Sequence, residues 1–105
     1  MVGRYVKFTA RPGRGDALAE LMLGVARSLQ ETDGCALYAI NRAADSSEVV
    51  WVTELWRDQR AVDASLAVLQ TNAGKARLGE VMALVEGPPK RIDLQPLGGV
   101  GLPES

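Results

Sequence analysis

A chain of 105 residues has room for one domain, and a domain of that size buries roughly 60 to 65% of its unfolded surface, enough for a modest core. Lys+Arg 12 against Asp+Glu 13 leave a formal charge of -1, and the cations Arg4, Lys7, Arg11, Arg14, Arg27 and Arg42 are scattered, which argues against a nucleic-acid surface. One cysteine, Cys35, excludes an internal disulfide and reads as a small buried strand residue, while the lack of histidine removes the commonest general base near neutral pH, the usual haem ligand and most zinc and non-haem iron sites.

In chain order, Arg4 to Ala10 alternates Tyr5, Lys7 and Thr9 with Arg4, Val6, Phe8 and Ala10, the pattern of a strand closed by the Pro12-Gly13 turn. From Asp16 the apolar positions Leu18, Leu21, Met22, Val25, Ala26 and Leu29 recur at helical spacing, with Asp16 as the expected N-cap and Asp33-Gly34 as the expected end. Cys35 to Asn41 and Val49 to Trp56 read as two strands of a hairpin joined through Asp45-Ser46-Ser47. Asp58 is suited to cap a helical run through Ala61, Val62, Ala64, Ser65, Val68 and Leu69, and a second run through Leu78, Val81, Met82 and Val85 starts near Thr71-Asn72. Gly87-Pro88-Pro89 stops it, and Lys90 to Leu97 reads as a fourth strand, with Pro96 marking an edge.

The order β-α-β-β-α-β predicts an α+β fold of the ferredoxin-like kind, a split βαβ unit whose four-stranded antiparallel sheet carries helices on one face. Residues 1–97 form the expected single domain, and the Gly-rich tail 98–105 is either flexible or reaches a second subunit. Both faces of the second and third strands are apolar, whereas a sheet covered on one side only should show a wet face. A homodimer joined through the open sheet face is the most economical cover. No window approaches the ~18 apolar residues of a membrane span. The start of the chain passes straight into strand-like alternation, so a cytoplasmic location is the expectation.

The third strand holds the candidates for chemistry. Glu54 stands among Thr53, Leu55 and Trp56, where a carboxylate needs partners to be buried, and it is either a general base or the ion-pair partner of Arg4, Lys7 or Arg42, the pair being the favoured reading. Trp56 shares its parity and either stacks on a flat substrate or packs in the core, whereas Trp51 points to the opposite face. Tyr38 and Asn41 are the remaining groups able to hydrogen-bond a substrate carbonyl or phenol, and Met22 and Met82 are core or pocket lining.

Lys7-Phe8-Thr9-Ala10-Arg11-Pro12-Gly13, Asp33-Gly34-Cys35 and Glu54-Leu55-Trp56-Arg57-Asp58 with Ala61 behind it, taken together over residues 2–95, resemble the antibiotic biosynthesis monooxygenase domain. The resemblance implies a homodimer of the dimeric α/β barrel type, with a pocket between sheet and helices in each subunit. It further implies oxidation of an anthrone-type polyketide or a hydroquinone to a quinone with dioxygen and no cofactor, the deprotonated aromatic itself passing an electron to dioxygen in a dry pocket. On that reading Glu54 or Asn41 handles the substrate proton or anion, and Trp56, Tyr38, Trp51, Ser65, Met22 and Met82 shape the substrate site. Many members carry a histidine seven residues after an Asp like Asp58; this chain has Ser65 there, and a serine cannot serve as a base near neutral pH. Two other readings stay open: a non-catalytic dimeric module for a small hydrophobic ligand, and an isomerase of a small phosphorylated signalling molecule, which would want a cluster of cations.

Overall fold

Along the chain β1 (Val2–Thr9), α1 (Gly15–Ser28), β2 (Cys35–Arg42), β3 (Val49–Trp56), α2 (Gln59–Leu69), α3 (Asn72–Leu84) and β4 (Lys90–Leu94) succeed one another in the structure, a computed structural model that describes residues 1–102. All strand pairs are antiparallel and the sheet order is β2-β3-β1-β4. This is the expected α+β ferredoxin-like plan. The last residues of the expected tail, 103–105, lie outside the described ones.

The period of two in β3 decides where the core lies. Val50, Val52, Glu54 and Trp56 are buried beneath the helices, and Val49, Trp51, Thr53 and Leu55 between them are half-buried on the other face. Leu18 and Met22 of α1, with Val81 and Val85 at the end of α3, close over Val50 and Val52. Ala61 and Val62 of α2 close over Trp56, together with Val2, Leu29, Cys35 and Tyr38. The helical layer leans mainly on β2 and β3, while every residue of β4 is exposed. The opposite sheet face presents Tyr5, Leu37, Ile92 and Leu94 to solvent, with the Lys7 ammonium 5.8 Å from the centroid of the Trp51 ring.

Several local expectations shift. The N-cap of α1 is Arg14, which makes no side-chain cap bond, because the Pro12-Gly13 turn (Gly13 φ 78°, Arg14 N–H to Arg11 O 2.9 Å) feeds directly into the helix. Asp16 instead lies in the first turn and pairs with Arg42 at 3.0 Å. The helix ends at Ser28 rather than at Asp33-Gly34, and a turn through Thr32 N–H to Leu29 O follows. Strand β1 starts at Val2, two residues before the alternation becomes visible, and β4 stops at Leu94, three before Leu97.

In β2 a bulge at Ala36 places Cys35 opposite Trp56 and Leu37 opposite Leu55. Strict alternation groups Cys35 with Leu37 and Ala39; the extra residue moves Cys35 onto the helix side with Tyr38 and Ile40. The Asp58 cap is as expected: its carboxylate accepts the Ala61 N–H at 2.9 Å. That bond holds the Asp58 carboxyl below its ordinary value. Thr71 caps α3 in the same way through the Gly74 N–H.

The entry to β2 depends on one glycine. Gly34 has φ +84°, and a Cβ there would stand 2.5 Å from the Ala61 Cβ. This close approach lets the Gly34 carbonyl accept the Arg57 N–H at 2.8 Å and brings the Arg57 guanidinium onto Asp33 in a forked pair of 3.0 and 3.2 Å. Arg57 in turn holds the Asp33 carboxyl below its ordinary value. Gly34→Ala is expected to lower the unfolding free energy by about 1–3 kcal/mol, the cost of a strained backbone plus a contact that must give way. Urea unfolding checks it as a lowered midpoint at unchanged slope.

Candidate active site

Strand register assembles the polar centre. Tyr38 of β2 lies opposite Glu54 of β3, Glu54 opposite Arg4 of β1, and Arg4 opposite Asp93 of β4, so one rung across all four strands is polar on the helix side. On β1 to β3 its neighbours are apolar, Ile40, Val52 and Val6 on one side and Cys35, Trp56 and Val2 on the other, while β4 adds Arg91 opposite Val6. A single carboxylate oxygen organises the rung. Glu54 Oε1 accepts from Arg4 Nη2 at 2.8 Å and from the Trp56 indole Nε1 at 2.9 Å.

Glu54 is only 5% exposed and Trp56 only 1%. Two donors meet the carboxylate that burial deprives of water, each such charged hydrogen bond being worth about 1.5–3 kcal/mol. The expected structural pair is therefore present, with Arg4 chosen over Lys7 and Arg42. Lys7 lies on the opposite sheet face and Arg42 is spoken for by Asp16.

The rung is not fully consumed by its own bonds. Among the described residues Glu54 Oε2, Arg4 Nη1 and the Tyr38 hydroxyl have no hydrogen-bond partner, and none of the three is sealed from solvent, whereas Arg4 Nε is both enclosed and unpartnered. Burial first, and the negative charge of Glu54 second, push the Tyr38 phenol far up, so it stays a neutral donor. The same two causes raise the Cys35 thiol, which leaves it poorly nucleophilic. One rung of the sheet thus carries a carboxylate, a guanidinium and a phenol on neighbouring strands, the chemical set needed to take a proton from an acidic hydroxyl and to bind the anion that remains.

The other candidates scatter. Met22 is buried in the core, and Met82 is 43% exposed on α3. Ser65 lies one turn beyond Ala61 and Val62 on α2, and its hydroxyl donates back to the Val62 carbonyl at 2.6 Å. Asn41 and Trp51 face each other on the open sheet face, away from Glu54; the Asn41 amide donates to the Trp51 carbonyl at 3.3 Å and to the Thr53 hydroxyl at 3.2 Å. A groove of about 560 Å³ opens between α1 and α3, lined by Ala17, Glu20, Leu21, Glu80, Ala83 and Leu84, and none of the candidates borders it.

Arg4 is the residue that sequence reasoning underweighted. The available signal was its parity: it is in phase with Val6 and Phe8, on the face that the helices cover. Glu54→Gln leaves Arg4 as an uncompensated cation with 13% side-chain exposure and is expected to cost about 3 kcal/mol of stability. The double variant Arg4→Gln/Glu54→Gln should be less destabilised than the single one, a coupling that thermal or urea unfolding of the three proteins resolves.

The family model for antibiotic biosynthesis monooxygenases matches residues 1–73. Among solved structures, a protein of Mycobacterium tuberculosis is 23% identical over 94% of this chain and 97% of its own, with a TM-score of 0.79. A protein of Pseudomonas aeruginosa is 22% identical over 92% and 94%, also at 0.79. A structure described as an antibiotic biosynthesis monooxygenase is 13% identical over 93% and 100%, again at 0.79. At these identities the structures speak for the fold alone. No curated protein matches the chain. Matched over more than half its length, the chain belongs to the antibiotic biosynthesis monooxygenase family.

Proposed function

We propose that this protein is a cofactor-independent monooxygenase that oxidises an electron-rich aromatic, an anthrone-type polyketide or a hydroquinone, with dioxygen. The observation that carries the reading is the buried Glu54 carboxylate, fixed through one oxygen by Arg4 and Trp56 while its other oxygen has no partner among the described residues, with Tyr38 opposite it on the neighbouring strand. Family membership supports oxygenase chemistry, and the chemistry itself asks for little more than a base and a dry cradle for an anion.

For an anthrone, Glu54 Oε2 accepts the acidic proton, and the resulting anion is electron-rich enough to reduce dioxygen. One oxygen atom stays on the former methylene carbon as the new carbonyl, and the other leaves as water with the two hydrogens lost from that carbon. Tyr38 donates to the developing oxyanion, and the buried Trp56 ring walls one side of the carboxylate while its N–H holds Oε1. Asn41 and Trp51 take no part in this reading, since their face of the sheet is the opposite one.

Metal-free protein mixed with dithranol is expected to consume dioxygen above a heat-killed control, and Glu54→Gln is expected to lower kcat by about 10²–10⁴-fold. Uptake no faster than the control overturns the reading. Melting shifts with dithranol but no turnover would favour a hydrophobic-ligand module instead.

The open sheet face supports a second element of the proposal, a homodimer. Tyr5, Leu37, Ile92 and Leu94 are exposed there around the partly buried Trp51, Leu55 and Ala39, an apolar patch that a second copy would cover. Light scattering at micromolar concentration is expected to give twice the chain mass, and Leu37→Lys with Ile92→Lys to give single chains.

A further inference from the structure

We propose that Arg4 is the anion-binding residue of the site, its Nη1 edge receiving the phenolate or enolate oxygen of the substrate. This rests on the oxygenase reading for the identity of the substrate, but the binding chemistry stands on the geometry.

The guanidinium has donors to spare. It carries five N–H groups in a rigid plane, and Glu54 takes one of them through Nη2. Its Nε is enclosed without a partner, and Nη1 has no hydrogen-bond partner among the described residues. A cation so placed is held still by Glu54 while presenting its outer edge.

The strand beside Arg4 on its other side carries little helical cover. The helical layer rests mainly on β2 and β3, and β4, beside β1, is exposed along its whole length. Asp93, the β4 residue across from Arg4, does not occupy the guanidinium; its carboxylate is turned to Arg91 at 3.1 Å. Arg4 thus lies between two carboxylates but is bonded to one. On this proposal the substrate oxygen comes to Nη1 from the β4 side of the sheet, where Asp93 leaves the guanidinium unbonded.

The Tyr38 hydroxyl, on the far side of Glu54 in the same rung, is a second free donor kept neutral by its surroundings. Base, cation and phenol belong to one rung of neighbouring strands, the set an acidic hydroxyl would need. The class selected is therefore an ionisable hydroxyaromatic or enolisable ketone rather than a neutral hydrocarbon. Arg4 stabilises the same anion that must lose an electron, so its contribution appears in binding of the ionised form.

The probe is 4-nitrophenol, whose ionised form absorbs in the visible. At a pH below its own pKa, the wild-type protein is expected to raise the phenolate absorption, and Arg4→Gln and the double variant Arg4→Gln/Glu54→Gln to abolish the increase. Arg4→Lys should restore part of it, and circular dichroism establishes that each variant is folded. For dithranol, Arg4→Gln is expected to raise KM by about tenfold to a hundredfold.

A folded Arg4→Gln that still ionises the probe, or a wild type that never does, overturns the assignment. If the single variant does not fold, the double variant and Arg4→Lys decide the matter in the same way. Loss of ionisation in the variant, with no oxygen uptake by the wild type, upholds the anion site and removes the oxygenase reading. Uptake with an unchanged KM in Arg4→Gln does the reverse.

Discussion

One carboxylate oxygen, Glu54 Oε1, is shared between a guanidinium and an indole, and the interior is arranged around that sharing. A buried carboxylate needs compensation from groups already fixed in place, or its desolvation outweighs what its bonds return. Here both donors are fixed by strands. Trp56 is two residues along the same strand face, and Arg4 is the hydrogen-bonded neighbour across the β1–β3 ladder. A slip of one residue in that ladder would send Arg4 to the opposite face and leave Glu54 stranded, so the pair also specifies register.

The two faces of the sheet divide the labour of the molecule. On the helix side an apolar core of Val50, Val52, Leu18 and Met22 gives way at one end to the Tyr38–Glu54–Arg4 rung. On the other side the apolar surface has no cover among the described residues. Ser65, where the family resemblance leads one to expect a histidine, has its hydroxyl occupied by its own helix. Under the proposed function, the burden of acid–base chemistry moves from the helix to the sheet in this member of the family, and Glu54 is the group positioned to take it.

Most of the architecture was legible in the residues because strand and helix periods are local signals. The alternation of Val49 to Trp56, the helical spacing of Leu18, Met22 and Val25, and the Asp58 cap each need only a few neighbours to be read. The misreadings come from effects that reach further. Arg14 rather than Asp16 begins α1 because a turn upstream sets the backbone, and a bulge cannot be seen in a strand whose two rows are both apolar. For the site, parity alone grouped Glu54 with Trp56. The choice of Arg4 as the partner, and the placing of Asn41 on the face away from Glu54, required knowing which strand lies beside which.

The bulge at Ala36 has a consequence for the only thiol. In an unbroken β2 strand Cys35 would share the uncovered face with Leu37, where a copy related by two-fold symmetry could bring its own sulfur within bonding range. The additional residue turns Cys35 inward against Trp56, where burial keeps it protonated. Two chains meeting across that face would then be held by reversible contact alone, free to separate and exchange whatever the redox state of their surroundings.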